Sequence, residues 1–330
     1  MTKKHFVKNK NTGEKYRLDG FLESSSPPAS EQLKKKFTDH IQLKPDQLPP
    51  RVDLRKQMTP IENQNPLGTC LSCAFAGAFE YLLKDNSGKH IDVSKLFIYY
   101  NARKKTGKPI QDKGSNITYT LETLNEIGVC PESAWKYDIE KVNEQPSDEA
   151  YEAAKNNKIT SALEVNQDLT EMKTCLAQGY PFVFSVRLFD HFFGTGKDGV
   201  VRMPAPTDKQ ATEHNRHAMV AVGYSDNTKE FIVRNSWGTN WGDEGYCYIP
   251  YTYMTDSELC FYRWVVQEMD TDMIEGDHRM EDDSTALHPD DEEDDHTEEF
   301  EYIDEGEADE EADGEQEEPQ QEEQADPDNQ

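Results

Sequence analysis

One cysteine in the sequence stands where a loop becomes a helix. Residues 63–69 contain Asn, Pro and Gly, which interrupt regular structure. Apolar residues then recur at steps of three and four positions and predict an amphipathic helix, through Ala74, Phe75, Ala78, Phe79 and Leu82. A thiol at a helix start lies near unpaired backbone N–H groups and the positive end of the helix dipole, and both favour thiolate. The position therefore predicts a nucleophilic cysteine.

Two cysteines compete for this role. The loop residues end at Thr69, so Cys70 takes the first turn, where the free N–H groups act most strongly. Cys73 lies about one turn inside the helix, at the edge of its apolar face, and is interpreted as a packing residue or half of a disulfide. The spacing favours Cys70 but leaves the reversed assignment open, because helix starts inferred from sequence are uncertain by a few residues.

Such a nucleophile needs a base, and His217 has the most suitable context among the histidines. It begins an apolar segment, residues 217–224, which a short polar turn joins to a second one, residues 230–235. This pattern predicts a β-hairpin. The second strand ends in Asn235, whose amide can orient the imidazole across the hairpin. His214 competes, but it lies in the polar loop before the strand.

The order Cys, His, Asn, with the histidine about 150 residues after the cysteine, is typical of papain-type enzymes. The chain resembles the papain-like cysteine peptidases over roughly residues 49–265, and their prokaryotic and viral branch more than the secreted lysosomal one. The motifs that carry the resemblance are residues 52–55 (VDLR), 63–64 (NQ), 68–70 (GTC), 96–100 (LFIYY), 217–218 (HA), 222–224 (VGY) and 235–246 (NSWGTNWGDEGY).

The resemblance implies a catalytic role for four residues. Cys70 is expected to be the nucleophile and His217 the base, which then acts as the acid toward the leaving amine. Asn235 is expected to orient His217. Gln64, six residues before Cys70, is expected to donate to the oxyanion together with the Cys70 backbone N–H; one such donor is typically worth about 3 kcal/mol of barrier.

Three further residues are expected around the substrate. The resemblance implies that Trp237 covers the Asn–His bond and that Trp241 forms a wall on the leaving-group side, although core packing alone would also explain both. Gly114 is expected to hydrogen-bond an extended substrate backbone.

The chain also departs from the family pattern. Leu71 follows the nucleophile where secreted members commonly have Trp, and Asn65 follows the oxyanion glutamine where Gly is frequent. No long helical pro-segment is visible before Val52, which argues against zymogen control by that route. The main hypothesis is a cysteine endopeptidase acting through an acyl-enzyme. The alternatives are an acyltransferase or isopeptidase with the same triad, or a non-catalytic scaffold that works through an acidic tail.

The remaining elements predict an α+β fold. Helical patterns cover residues 94–103, 118–127 and 170–178, whereas residues 182–188, the hairpin and residues 245–249 are strand-like. We expect a helical subdomain and an antiparallel β subdomain with the active-site cleft between them. The expected organisation is an N-terminal extension over residues 1–48, a papain-like peptidase domain over 49–268 and an acidic disordered tail over 269–330. The extension is expected to be solvated and to pack loosely on the body.

The charge of the chain is concentrated in the tail. The formal net charge is −30, yet residues 281–330 hold 26 Asp or Glu and no Lys or Arg. This composition predicts disorder, with a solubilising role or the binding of a basic partner. The expected partners are otherwise a protein or peptide substrate, with no nucleic acid and no membrane.

Cysteine usage and the N-terminus suggest where the protein acts. The N-terminus lacks a secretory signal, so the six cysteines are expected to be reduced, and an intracellular or virion-associated location is favoured over secretion. No cysteine or histidine spacing fits a zinc site, and no metal or cofactor is expected.

Overall fold

The computed structural model describes residues 4–9, 13–210, 216–273 and 300–305. The α helices of these residues are α1 (Cys70–Ser87), α2 (Lys95–Lys104), α3 (Ile117–Glu126), α4 (Asp148–Ala154), α5 (Leu169–Ala177) and α6 (Tyr251–Met254). Their strands are β1 (Lys4–Asn9), β2 (Lys15–Arg17), β3 (Phe21–Leu22), β4 (Lys35–Lys36), β5 (Arg51–Asp53), β6 (Ser115–Asn116), β7 (Lys158–Glu164), β8 (Phe182–Arg187), β9 (Arg216–Ser225), β10 (Glu230–Arg234), β11 (Tyr246–Pro250), β12 (Cys260–Asp270) and β13 (Phe300–Glu305). No helix in these ranges is long and apolar enough to cross a membrane.

Helix α1 is the central helix of the body. It is buried from Cys70 to Leu83 and packs against β9 and β8 on one side and against α2 and α3 on the other. Small residues allow this close packing: a Cβ added at Gly77 would lie 3.4 Å from the side chain of Arg234. The helix ends at Gly88, whose φ of 69° is the left-handed conformation that glycine adopts without strain.

The two helices beside α1 begin at side-chain caps. Ser94 Oγ accepts a hydrogen bond from the backbone N–H of Phe97, and Asn116 Oδ1 accepts one from that of Tyr119. Each cap satisfies a donor that the first helical turn leaves unpaired. Helices α2 and α3 therefore start within two residues of the predicted positions.

The second half of the body is a large, mostly antiparallel sheet. Its strand order is β11-β10-β9-β8-β12-β7-β4, and β5 pairs with β9 outside this path. Strands β9 and β10 form the predicted hairpin, with Glu230 opposite Ser225. Strand β9 is buried along nearly its whole length because α1 and α5 both pack on it, so its sequence is continuously apolar rather than alternating. The α+β architecture predicted from the sequence is confirmed.

The N-terminal extension differs from its prediction. Tyr16, Arg17, Leu18 and Phe21 are each at most 3% exposed, so this segment is packed into the body rather than loosely laid on it. Strand β3 pairs in parallel with β6 of the helical half. We call residues 13–24 the cover segment.

Part of the acidic tail is also ordered. Strand β13 pairs antiparallel with β1 along six residues, and β2 pairs with the other edge of β1. Lys8 Nζ lies 3.4 Å from Glu301 Oε1, so a basic strand meets an acidic one. Residues 300–305 thus form a strand where the composition predicts disorder; the other tail residues beyond 273 lie outside the described ranges.

A buried lysine joins α2 to the loop before α1. Lys95 is 5% exposed, and its Nζ pairs with Asp92, lies 3.2 Å from Glu62 Oε2 and lies 3.9 Å from Glu132 Oε2. Glu62 immediately precedes the Asn63–Gln64 pair, and its backbone oxygen accepts from the N–H of Gly238. The ammonium of Lys95 therefore holds together loops that lead into the predicted site.

Replacing this lysine should destabilise the fold. We expect Lys95→Met to lower the free energy of unfolding at pH 7 by about 3–5 kcal/mol, because it removes a buried cation from three partly buried carboxylates. The measurement is urea denaturation. The matched control is Lys155→Met, whose ammonium pairs with Glu152 at an exposed position and should change stability by less than about 1 kcal/mol. Equal effects of the two substitutions would contradict the role given to Lys95.

Candidate active site

Cys70 is the first residue of α1, and its side chain is completely buried. Burial raises the pKa of the thiol to about 12, although the backbone N–H groups of Ala218 and Leu71 stabilise the thiolate. The sulfur thus lies beside the residue that follows His217. The helix start is where the sequence predicts it, but its effect on the thiol is outweighed by desolvation.

His217 and Asn235 meet across the β9–β10 hairpin. His217 Nε2 lies 2.7 Å from Asn235 Oδ1, and the same oxygen accepts the N–H of Ser236 at 2.8 Å. Because Oδ1 accepts, Nε2 carries the hydrogen and Nδ1 keeps its lone pair. Burial lowers the pKa of His217 to about 4, despite the opposing bond to Asn235, so the imidazole is neutral near pH 7. The competing His214 lies outside the described residues.

Two tryptophans enclose this pair. The ring of Trp237 lies 4.6 Å from that of His217, and Trp241 packs edge-on against Trp237 at 5.2 Å between ring centroids. Both are at most 3% exposed. Phe192 stacks on Trp241, so the two tryptophans also belong to the core. Water is thereby excluded from the His217–Asn235 bond, which strengthens it.

Gln64 is fixed on the loop before α1. Its Oε1 accepts the Ser236 hydroxyl at 2.6 Å, and its Nε2 donates to the backbone oxygen of Leu67 at 3.2 Å. Its backbone N–H donates to the oxygen of Ser236. The amide nitrogen carries two hydrogens, so one is left for another acceptor. Gln64 therefore joins the loop before Cys70 to the residue that follows Asn235.

Cys73 lies one turn inside α1 and is also buried. Its thiol donates to Thr69 Oγ1 at 3.7 Å, and burial raises its pKa even further than that of Cys70. All six cysteines are free thiols, so the disulfide interpretation of Cys73 fails. The choice of Cys70 as nucleophile stays a prediction.

The cover segment occupies the cleft in front of Cys70. A Cβ added at Gly20 would lie 3.0 Å from the sulfur of Cys70, so the backbone of the segment passes directly over the thiol. The oxygen of Gly20 accepts the N–H of Ser115 at 3.1 Å, next to Gly114. The backbone predicted to bind substrate is therefore occupied by this chain's own residues.

The same segment covers the other side of the site, where Tyr16 stacks on Trp237 at 5.1 Å. The sequence did not predict this arrangement, because the cover segment contains two short strands and not the long helix of a typical pro-segment. The only local indication is the alternation of Tyr16, Leu18 and Gly20 among polar neighbours.

Two groups of side chains in the described ranges have the composition of metal ligands. Glu62, Glu80 and Asp92 lie together, but Lys95 pairs with two of these carboxylates. Asp190, His191 and Asp208 form the other group, where the guanidinium of Arg202 binds both carboxylate oxygens of Asp208. A side-chain cation, Lys95 in the first group and Arg202 in the second, therefore already pairs with carboxylates of each group.

Comparisons with known proteins identify the family of the chain. The model of the "Papain family cysteine protease" family matches residues 48–260. An uncharacterized peptidase C1-like protein of Acanthamoeba polyphaga mimivirus is 35% identical over 256 residues, covering 73% of this chain and 81% of that protein. Cathepsin K of Gallus gallus is 29% identical over 205 residues, covering 60% of this chain and 58% of that protein.

Solved structures of cysteine proteases share the fold of this chain. Xylellain, a cysteine protease from Xylella fastidiosa, is 32% identical with a TM-score of 0.64, covering 78% of this chain and 98% of that one. The Carica candamarcensis cysteine protease CMS1MS2 shares the fold, with a TM-score of 0.51 at 21% identity, covering 65% of this chain and 98% of that one. The relatives include viral and bacterial proteins, in agreement with the expected branch. The chain therefore belongs to the papain family of cysteine proteases.

Proposed function

We propose that this cysteine peptidase is an endopeptidase that works through a Cys70–His217–Asn235 triad and an acyl-enzyme intermediate. The observation that carries the proposal is the 2.7 Å bond from His217 Nε2 to Asn235 Oδ1, enclosed by Trp237. This bond holds a neutral imidazole in one tautomer, and the backbone N–H of the next residue, Ala218, contacts the sulfur of Cys70 at the start of α1. These contacts support the pairing of a base with a nucleophile.

The proposed reaction assigns one chemical step to each of these residues. His217 Nδ1 takes the proton of Cys70 as the sulfur attacks the scissile carbonyl carbon. The oxyanion that forms accepts from the Cys70 N–H and the second hydrogen of Gln64 Nε2. Collapse of this intermediate breaks the C–N bond, and the imidazolium returns its proton to the leaving amine. Water then attacks the thioester with His217 as base, which releases the acid and regenerates the thiol.

Substrate access requires the cover segment to move. The proposed catalytic unit is residues 49–268, with Gly114 binding an extended backbone and Trp241 forming the leaving-group wall. In the described conformation Gly20 occupies the place of the substrate backbone, and Cys70 has no exposed surface. We therefore propose that this conformation is inactive, although the sequence argued against zymogen control by a long helical pro-segment.

Two other functions use the same features. An acyltransferase or isopeptidase would share the triad but would transfer the acyl group to an amine or cut isopeptides, with little hydrolysis of plain peptides. A scaffold would act through its acidic tail on a basic partner and would retain its biological activity without Cys70. The Lys8–Glu301 pair supports the idea that the tail prefers basic strands. An intracellular or virion-associated site of action is proposed with either function.

The nucleophile can be tested by substitution. We expect Cys70→Ala to abolish hydrolysis of a peptide library, a fall of at least about 10³-fold, because the attacking atom is lost. Cys73→Ala is the matched control and should retain activity within about tenfold. The measurement is cleavage followed by mass spectrometry. The reverse pattern would move the nucleophile to Cys73, and transfer to amines without hydrolysis would favour the acyltransferase.

The role of the cover segment can be tested with the full chain. We expect Gly20→Leu to raise peptide hydrolysis at pH 7 by at least about tenfold, because its side chain would overlap Gly68 and the Cys70 sulfur and expel the segment. The control is Leu22→Ala, at a position that is 41% exposed and should leave activity unchanged. An unaltered rate in Gly20→Leu would contradict the proposed inhibition.

The pH dependence of labelling reports the burial of the thiol. With the Cys70 pKa near 12, we expect iodoacetamide labelling of this residue in the unaltered chain to be slow at pH 7. Because the sulfur has no exposed surface, labelling also requires movement of the cover segment, and the rate should rise with pH above 7 as the thiolate fraction does. Gly20→Leu readmits water, so its Cys70 pKa should fall and its profile should shift to lower pH. Mass spectrometry of tryptic peptides measures the labelling rates of both chains. A rate that reaches its plateau near pH 7 in the unaltered chain would contradict the raised pKa of Cys70.

A further inference from the structure

Asp112 is a buried carboxylate at the edge of the cleft, on the loop between α2 and β6. Its Oδ1 accepts the backbone N–H of Gly68 at 3.1 Å and the hydroxyl of Tyr99 at 2.8 Å. The Tyr99 oxygen in turn accepts the N–H of Gly114 at 2.8 Å. One oxygen of Asp112 is thus held by the body and joins the loop before Cys70 to the loop that carries Gly114.

The other oxygen of Asp112 faces the N-terminal residues. Within the described ranges, this Oδ2 contacts the Arg17 guanidinium, through Nη1, and lies 3.5 Å from Lys4 Nζ. Arg17 Nη2 also donates to the backbone oxygen of Asp112 at 2.7 Å. The body therefore offers two acceptors of one residue, Oδ2 and O, to a single guanidinium.

This arrangement suits arginine in particular. The side chain of Arg17 has no exposed surface, and a buried charge is tolerated only with a close partner of opposite sign. A planar guanidinium reaches two acceptors at once, whereas an ammonium on a flexible stem acts as a point charge. The guanidinium counteracts the effect of burial and keeps the pKa of Asp112 below its usual value, so the pair is ionic.

Departure of the cover segment would leave the carbonyl oxygen of Asp112 without its Arg17 donor and Oδ2 with Lys4 Nζ alone, at 3.5 Å on strand β1. The Oδ1 contacts persist because they come from the body, so Oδ2 stays aimed into the cleft beside Gly114. A single ammonium at this distance leaves Oδ2 and the carbonyl oxygen without close donors in a partly enclosed site, which is unfavourable, and an incoming guanidinium supplies a donor to each.

We propose that Asp112 is a specificity-determining residue whose Oδ2 and carbonyl oxygen bind the guanidinium of a substrate arginine on the acyl side of the scissile bond. Arg17 occupies this subsite while the cleft is covered. The inference rests on the proposed function, since it places a peptide in the same cleft, and it names the substrate class as arginine-containing peptides.

The test measures binding without catalysis. The full chain carrying Gly20→Leu and Cys70→Ala is titrated calorimetrically with two peptides that differ only in arginine or citrulline, which keeps the shape of arginine without its charge. A set of peptides carries the residue at each of the three positions before the scissile bond. We expect at least about tenfold tighter binding of the arginine peptide at one position, and weaker binding when lysine replaces arginine.

Substitutions then assign the effect to Asp112. Asp112→Asn should reduce the arginine-to-citrulline ratio of Kd values to about one. Asp19→Asn is the matched control, because Asp19 also contacts Arg17 but belongs to the cover segment, and the ratio should be retained. If Asp112 had a purely structural role, Asp112→Asn would weaken the binding of both peptides equally. The arginine-to-citrulline ratio of Kd values would then be unchanged, which would overturn the proposal.

Peptide binding by the Gly20→Leu, Cys70→Ala chain, which retains Asp112, tests the proposal without any Asp112 variant. The test therefore remains possible if Asp112→Asn fails to fold. Equal Kd values for arginine and citrulline peptides at all three positions overturn the proposed subsite. Hydrolysis of the same peptides by the Gly20→Leu chain that retains Cys70 tests the proposed function separately. An arginine preference in binding without any cleavage would support the subsite and refute the endopeptidase.

Discussion

Exclusion of water from the sulfur of Cys70 is the constraint on which the rest of the site depends. The thiol lies at a helix start and beside backbone N–H groups, features that ordinarily favour a thiolate. Burial outweighs them and raises its pKa, and burial likewise lowers the pKa of His217. Both effects disfavour charge, so the described conformation holds a neutral thiol and a neutral imidazole. The His217–Asn235 pair of the proposed triad is therefore formed, whereas burial disfavours the charged forms of Cys70 and His217.

The two halves of the body can hold this geometry because buried polar groups connect them. Gln64, on the helical side, accepts from Ser236 on the β side, and Tyr137 donates to the backbone oxygen of Gln64. Lys95 holds the preceding Glu62. The side chains of the proposed site are therefore placed by rigid elements and their satisfied contacts rather than by the cover segment.

The sequence predicted the body well because its patterns are local. The helix that starts at Cys70, the caps at Ser94 and Asn116, and the β9–β10 hairpin are set by periodicity, capping and turn residues within a few positions. The same holds for the His217–Asn235 contact, which follows from the hairpin register.

Long-range contacts were the part that the sequence could not predict. Strands β7 and β12 were missed because they pair with each other across about a hundred residues of sequence, where no local pattern marks the partner. The packing of Tyr16 on Trp237 and of Arg17 on Asp112 joins residues that no local pattern relates. The pKa of Cys70 depends on these contacts, so its direction was predicted wrongly even though the position of the residue was expected.

The pairing of β1 with β13 has a consequence for the order of folding. These strands are separated by almost the whole described sequence, so among the described residues this ladder closes the longest loop. During synthesis β1 emerges first and β13 long afterwards. A ribosome-bound chain would thus expose one unpaired edge of β1, and the third strand of this small sheet could dock only once translation had passed residue 305.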